Sequence, residues 1–188
     1  MPLTKAARDG FDIPPGAWYH ERQSNGRHIF MQLLYYALFV GGIVAADQFT
    51  KYLTVAHIGL WEEIPFIPGL LQLTYVQNTG AAFSSFEGQQ WLFALIFAAF
   101  TGLILWEYFK KPMGFSKFEH WCIAAVYGGG LGNMIDRVRM GYVVDMIETT
   151  FVEFPVFNVA DCFITCGCIA MMVSLLLFNK EFWKDNKK

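Results

Sequence analysis

Residues 29–46 read IFMQLLYYALFVGGIVAA and stop against Asp47. An uncharged apolar run of about 18 residues is what a helix needs to cross a hydrocarbon layer about 30 Å thick. The composition agrees with a lipid solvent. Of 188 residues, 55% are hydrophobic and 18% aromatic, only 16% are charged, and mean hydropathy is +0.34. Soluble domains carry roughly 25% charged residues. The net charge of −2 leaves no basic footprint, so no nucleic-acid partner is expected.

Working outward from that run, four spans are expected, at about 29–49, 90–109, 118–136 and 158–178. The third is the weakest, because Glu119 and His120 open it and glycines crowd its second half. The expected class is a membrane α-helical fold: four transmembrane helices, a small extracytoplasmic β-sheet and an outer loop. Residues 1–28 read as a cytoplasmic tail, 29–179 as the four-span domain and 180–188 as a second cytoplasmic tail. A cleaved signal peptide is disfavoured, because the first run lies behind a polar segment containing Pro14-Pro15.

Lysines and arginines orient the chain. With the N-terminus inside, the inner segments hold Lys5, Arg8, Arg22, Arg27, Lys110, Lys111, Lys117, Lys180, Lys184, Lys187 and Lys188. The outer ones hold Lys51, Arg137 and Arg139. That bias places both termini in the cytoplasm.

Polar groups inside or at the edge of a bilayer cost several kcal/mol, roughly, unless paired or hydrated. Here they gather at the outer ends of spans. Asp47 and Lys51, one helical turn apart, read as an ion pair holding the first helix to its neighbours. Asp136 and Arg137 suggest a similar bracket, and Asn133 with Arg137 a support for the site. Asn158 reads as a helix N-cap with Asp161 at the third helical position, where the dipole favours an acid. Capping does not explain Asp145, isolated in the apolar run Tyr142-Val143-Val144-Asp145-Met146-Ile147.

In the first outer loop, Leu71, Leu73 and Tyr75 alternate with other residues as in a strand, and Asn78-Thr79-Gly80 reads as a turn. Asn78 suits either a bond within its own loop or a contact to a substrate backbone. Gly128 and Gly132 form a GxxxG pair that suits close helix packing. Cys122, Cys162, Cys166 and Cys168 form no CxxC pair and read as apolar filler; the scattered histidines form no HExxH. No metal and no cofactor is called for.

Two carboxylates about 4 Å apart repel by about 4 kcal/mol at an effective dielectric of 20, or about three pKa units. Asp145 and Asp161, if they meet, would therefore share a proton. One would draw a proton from water while the other polarises a carbonyl, hydrolysing a peptide without a covalent intermediate. The helix dipole hints at Asp161 as base and Asp145 as acid. Serine or cysteine nucleophiles fare worse: Ser84 and Ser85 lack an evident activating base, and Cys162 lacks a paired histidine. A small transporter would place polar groups through the midplane, whereas the inner halves of the second and fourth spans are almost wholly apolar. A non-catalytic membrane scaffold would make the acids structural.

Five stretches in order resemble lipoprotein signal peptidase, the type II signal peptidase of bacteria. They are Asp47-Gln48-Phe49-Thr50-Lys51, Asn78-Thr79-Gly80-Ala81-Ala82-Phe83, Gly129 to Arg137, Val143-Val144-Asp145 and Phe157-Asn158-Val159-Ala160-Asp161. The resemblance covers about residues 30–178. It implies an aspartic endopeptidase of the bacterial cytoplasmic membrane that cleaves prolipoproteins just before a diacylglyceryl-bearing cysteine. By motif position it implies Asp145 and Asp161 as the catalytic pair. It implies Asn78, Gly132, Asn133, Arg137, Asn158 and Ala160 as shaping or contacting the site and Asp47 and Lys51 as supporting it; Asp136 reads beside them as a structural polar residue. It further implies membrane lipid as a partner and inhibition by globomycin wedged between the acids. The stretch Glu148 to Pro155 matches no pattern of the family and suggests a flap.

Overall fold

The computed structural model describes residues 17–80, 88–110 and 114–179. The chain divides into two units, Met1–Ala37 and Leu38–Lys188, and every candidate site residue belongs to the second. The elements run α1 (Ala17–His57), β1 (Glu63–Ile67), β2 (Leu71–Asn78), α2 (Gln90–Lys110), α3 (Lys117–Met140), β3 (Val143–Thr149) and α4 (Val159–Leu177).

Three of the helices are long and apolar enough to cross a membrane: Phe30–His57, Gln90–Lys110 and Val159–Leu177. Their apolar windows are only 11%, 6% and 17% buried. Leu38, Leu95, Leu103, Ile169 and Leu176 are each more than half exposed. A water-soluble bundle turns such residues inward. A membrane protein leaves them on the lipid face. The fold is thus a helical membrane fold carrying a small sheet.

Helix α3 has the opposite pattern. Gly128, Gly129, Gly132, Asn133 and Asp136 are buried along it. A Cβ on Gly128 would touch Ile43, and one on Gly132 would come 2.5 Å from the Asp47 Oδ2 atom, so the GxxxG face packs on α1. One on Gly129 would run into the Ala160 carbonyl of α4. The glycines that weaken α3 as an apolar span admit its neighbours. At its start, Ser116 and Glu119 form a capping box. The fully buried Glu119 also accepts from Ser174 Oγ (2.9 Å) and Asn179 Nδ2 (2.7 Å), joining the start of α3 to the end of α4. Glu119 is thus both a cap and a tie between helices.

The sheet is antiparallel in the order β1-β2-β3, with Val76 opposite Asp145 and Asn78 opposite Val143. Tyr75, Val144 and Met146 form its core, against Ile58, Tyr142 and Ile147. Val144 and Met146 share one face of β3, and the two-residue period sends Asp145 to the other.

Two boundaries differ from expectation. Helix α1 begins at Ala17, inside the stretch expected as tail, and ends at His57, well past 49. Once an apolar run has nucleated a helix, each flanking residue adds a hydrogen bond at little further entropic cost, so polar flanks join it. Residues 1–16, and the tail expected at 180–188, lie outside the described residues.

Candidate active site

Local structure accounts for each site position. Asn78 closes β2, and its Oδ1 accepts the Gly80 N–H (3.0 Å), the turn anticipated at Asn78-Thr79-Gly80. Residues 81–87, with Ser84 and Ser85, lie outside the described residues. Phe157 is bonded in both directions to Ile147, by N–H donation at 3.0 Å and carbonyl acceptance at 2.8 Å. That bridge draws the segment ahead of α4 against β3, and Asn158 reaches Asp145 as a result.

Asn158 caps α4 as expected: its Oδ1 accepts the Asp161 N–H (3.0 Å), while Asp161 Oδ2 accepts the Asn158 N–H (3.1 Å). With its oxygen so engaged, the Asn158 amide nitrogen turns the other way. It donates to Asp145 Oδ1 at 2.6 Å and to Asn133 Oδ1 at 3.1 Å. Asn133 in turn donates to Asp161 Oδ1 at 2.8 Å. Asn78 Nδ2 meets the second Asp145 oxygen at 2.9 Å. Two side-chain amides thus bridge the carboxylates, and both acids line one cavity of about 860 Å³.

Asp145 is 2% exposed. Burial, opposed by the Asn78 hydrogen bond and reinforced by the nearby Asp161 charge, pushes its carboxyl up to about 6. Asn158 and the Lys51 charge hold it from rising further. Desolvation and a like charge are the two influences that keep a carboxylic acid protonated near neutrality.

Behind the acids lies a second cluster. Lys51 Nζ contacts Asp47 Oδ2 (2.9 Å), Asp136 Oδ2 (2.8 Å) and Asn133 Oδ1 (2.8 Å). Gln48, which the sequence did not single out, donates to Asp136 Oδ1 at 2.8 Å. The ion pair expected within the first helix is present. The bracket expected between Asp136 and Arg137 is not among the ion pairs: successive residues on a helix point about 100° apart, and Asp136 faces Lys51 instead. Arg137 donates to the Gly80 carbonyl (2.9 Å) and to Asn133's own carbonyl (3.3 Å), with its guanidinium 4.2 Å over the Phe93 ring. Its buried Nε has no hydrogen-bond partner, although the group lines the cavity.

Ala160 is fully buried and gives its N–H to Asp47 Oδ1 (3.0 Å). Much of the remaining cavity wall is apolar: Phe93, Ile96, Phe97 and Phe100 from α2, and Ile164 from α4. Cys162 and Cys166 also line it, and all four cysteines are free. Phe154 and Pro155, at the end of the stretch expected as a flap, line this cavity and an adjoining hollow of about 610 Å³.

A site with two amide-bridged acids and an apolar wall is suited to a greasy substrate bearing a polar bond to be cut. Comparison with known proteins points the same way. The model of the family described as signal peptidase (SPase) II matches residues 23–177. Lipoprotein signal peptidase of Streptococcus pyogenes serotype M1 is 43% identical over 143 residues, covering 76% of this chain and 89% of that protein. Its counterpart in serotype M3 (strain ATCC BAA-595 / MGAS315) is 42% identical over the same length. A bacterial membrane enzyme solved by the in meso method at 2.3 Å superposes with a TM-score of 0.72 at 31% identity, covering 82% of this chain and 92% of that one. Another, at 1.9 Å, gives 0.69 over 77% and 94% of the two chains. The chain therefore belongs to the signal peptidase II family of membrane peptidases.

Proposed function

We propose that this chain removes the signal peptide from diacylglyceryl-modified prolipoproteins, cutting before the lipidated cysteine with Asp145 and Asp161 as an acid–base pair. The observation that carries the reading is the shared amide bridge: Asp145 from a strand and Asp161 from a helix start hold the same Asn158–Asn133 pair, and both acids line one cavity.

Asp161, at the third position of α4, sits in the positive field of the helix N-terminus, which suits it to the role of base. It takes a proton from water as the oxygen attacks the scissile carbonyl. Asp145, whose carboxyl burial pushes up to about 6, gives its proton to the developing oxyanion; as the adduct collapses, Asp161 passes the proton it took from water to the leaving amine and the gem-diol proton returns to Asp145. Asn78 and Asn158 hold the Asp145 carboxyl in place throughout. Neither step needs a metal or an acyl-enzyme. The apolar wall of α2 and α4 suits acyl chains and the hydrophobic part of a signal peptide arriving sideways from lipid.

All four helices cross the bilayer in this reading. Helix α3, at 24 residues, is about 36 Å long, enough for a layer of about 30 Å. The lysine and arginine bias then puts both termini in the cytoplasm and the acids at the extracytoplasmic surface. Globomycin would occupy the space between the acids.

The test is cleavage of a purified diacylglyceryl prolipoprotein in detergent, followed as a mobility shift. Asp145→Asn and Asp161→Asn should each lose at least about a hundredfold in rate, the usual contribution of a positioned acid or base, while still folding. Full activity in either variant overturns the pair.

A further inference from the structure

We propose that Lys51 is a positioning residue for both acids, the centre of a hub that grips the backbone just ahead of each one. This rests on the acid–base reading above and deepens it.

Lys51 is 3% exposed, and three acceptors surround its ammonium group: Asp47, Asp136 and Asn133. Each carboxylate then reaches on to a main-chain donor. Asp47 Oδ1 takes the N–H of Ala160, the residue before Asp161. Asp136 Oδ2 takes the N–H of Val144, the residue before Asp145, at 3.2 Å. One cation thus joins two parallel connections, one to the start of α4 and one to β3. An ion pair needed only to fasten helices would not have to end twice on the N–H of the residue preceding an acid.

The third contact sets an amide. An ammonium group only donates, so the Asn133 oxygen must face Lys51. The Asn133 nitrogen is then left pointing at Asp161 Oδ1. Without Lys51, a flipped Asn133 would present an oxygen to a carboxylate. The Asn158 amide has no such freedom, because the Asp161 N–H holds its oxygen. Lys51 therefore determines which groups the acids meet as well as where they stand.

The test uses the full chain in detergent with a diacylglyceryl prolipoprotein, reading kcat, KM, the pH profile and the melting temperature. The double substitution Lys51→Met with Asp136→Asn removes one charge of each sign and keeps an oxygen for the Val144 N–H. It should lower kcat about a hundredfold with KM within about threefold. The charged groups facing Asp145 are Asp161 on α4, Lys51 on α1 and Arg137 on α3. Loss of Lys51 should therefore move the alkaline limb of the profile upward. A folded double variant with unchanged kcat and an unmoved limb overturns the hub. If that variant does not fold, Lys51→Arg decides, since it keeps the charge for Asp47 and Asp136 but replaces the compact ammonium by a planar fork. A tenfold or greater loss of kcat at wild-type melting temperature supports the hub, and full kcat overturns it. Wild-type protein that leaves the substrate uncut would instead overturn the functional reading itself.

Discussion

Replacing Asp145 by Asn removes a charge that the folded protein holds unwillingly. Its carboxyl stands at about 6, against an ordinary value of 3.8. The native state therefore binds the proton more tightly than the unfolded chain does. The Asp145 contribution to wild-type stability should fall as pH rises through that window, by about 3 kcal/mol in all. The variant should lack this slope, which melting temperatures from pH 4 to 7 in detergent will show. The proposed mechanism uses the same proton. With Asp145 as acid, kcat/KM should decline above about pH 6, and a bell whose upper limb lies near that of lysine would contradict the assignment. Asn158→Ala should remove both the α4 cap, at about 1 kcal/mol, and the bridge to Asp145, so stability and rate should fall together.

At the scale of elements, the close approaches of α3 are the sensitive points. Gly129→Ala would drive a methyl group into the Ala160 carbonyl, separating α3 from α4 just beside Asp161. Overpacking of this kind destabilises by about 1–3 kcal/mol, and cleavage should drop at least about tenfold. Gly41→Ala, where nothing lies within 4 Å, is the matched control and should be neutral or stabilising by up to about 1 kcal/mol. Equal effects at the two positions would remove the packing explanation. Much at this scale was legible in the sequence. Apolar runs marked α1, α2 and α4, alternation marked β2, and the Asn158–Asp161 spacing marked the cap. The pairing of Asp136 was not legible, because its partners Gln48 and Lys51 lie more than 80 residues away and no local spacing encodes that contact. Strand β3 was hidden for a different reason. Buried on both sides along Val143–Met146, it shows no polar alternation to reveal it. The extra turns of α1 were missed because polar residues continue a helix as readily as they end one.

For the molecule as a whole, orientation is the claim that carries furthest. A reporter that fluoresces only in the cytoplasm should be bright when fused after Lys188 and dark when inserted at Gly69, the turn between β1 and β2. The reverse pattern would put the acids on the wrong side of the membrane for a secreted substrate. Composition announced the lipid solvent at once, and the exposed leucines of α2 and α4 agree with it. The convergence of four separate polar stretches was legible as a list of positions. Its wiring needed coordinates, because the two asparagine amides that join the acids have the same sequence signature as any capping or surface asparagine.

The amide of Asn158 starts a helix with its oxygen and holds an acid with its nitrogen. Architecture and chemistry draw on one side chain there. A microbe seeking to escape a drug by altering that position would lose part of its own scaffold in the same stroke. Asn158 is itself fully buried, so an inhibitor lodged between the acids would meet it only through the carboxylate it holds.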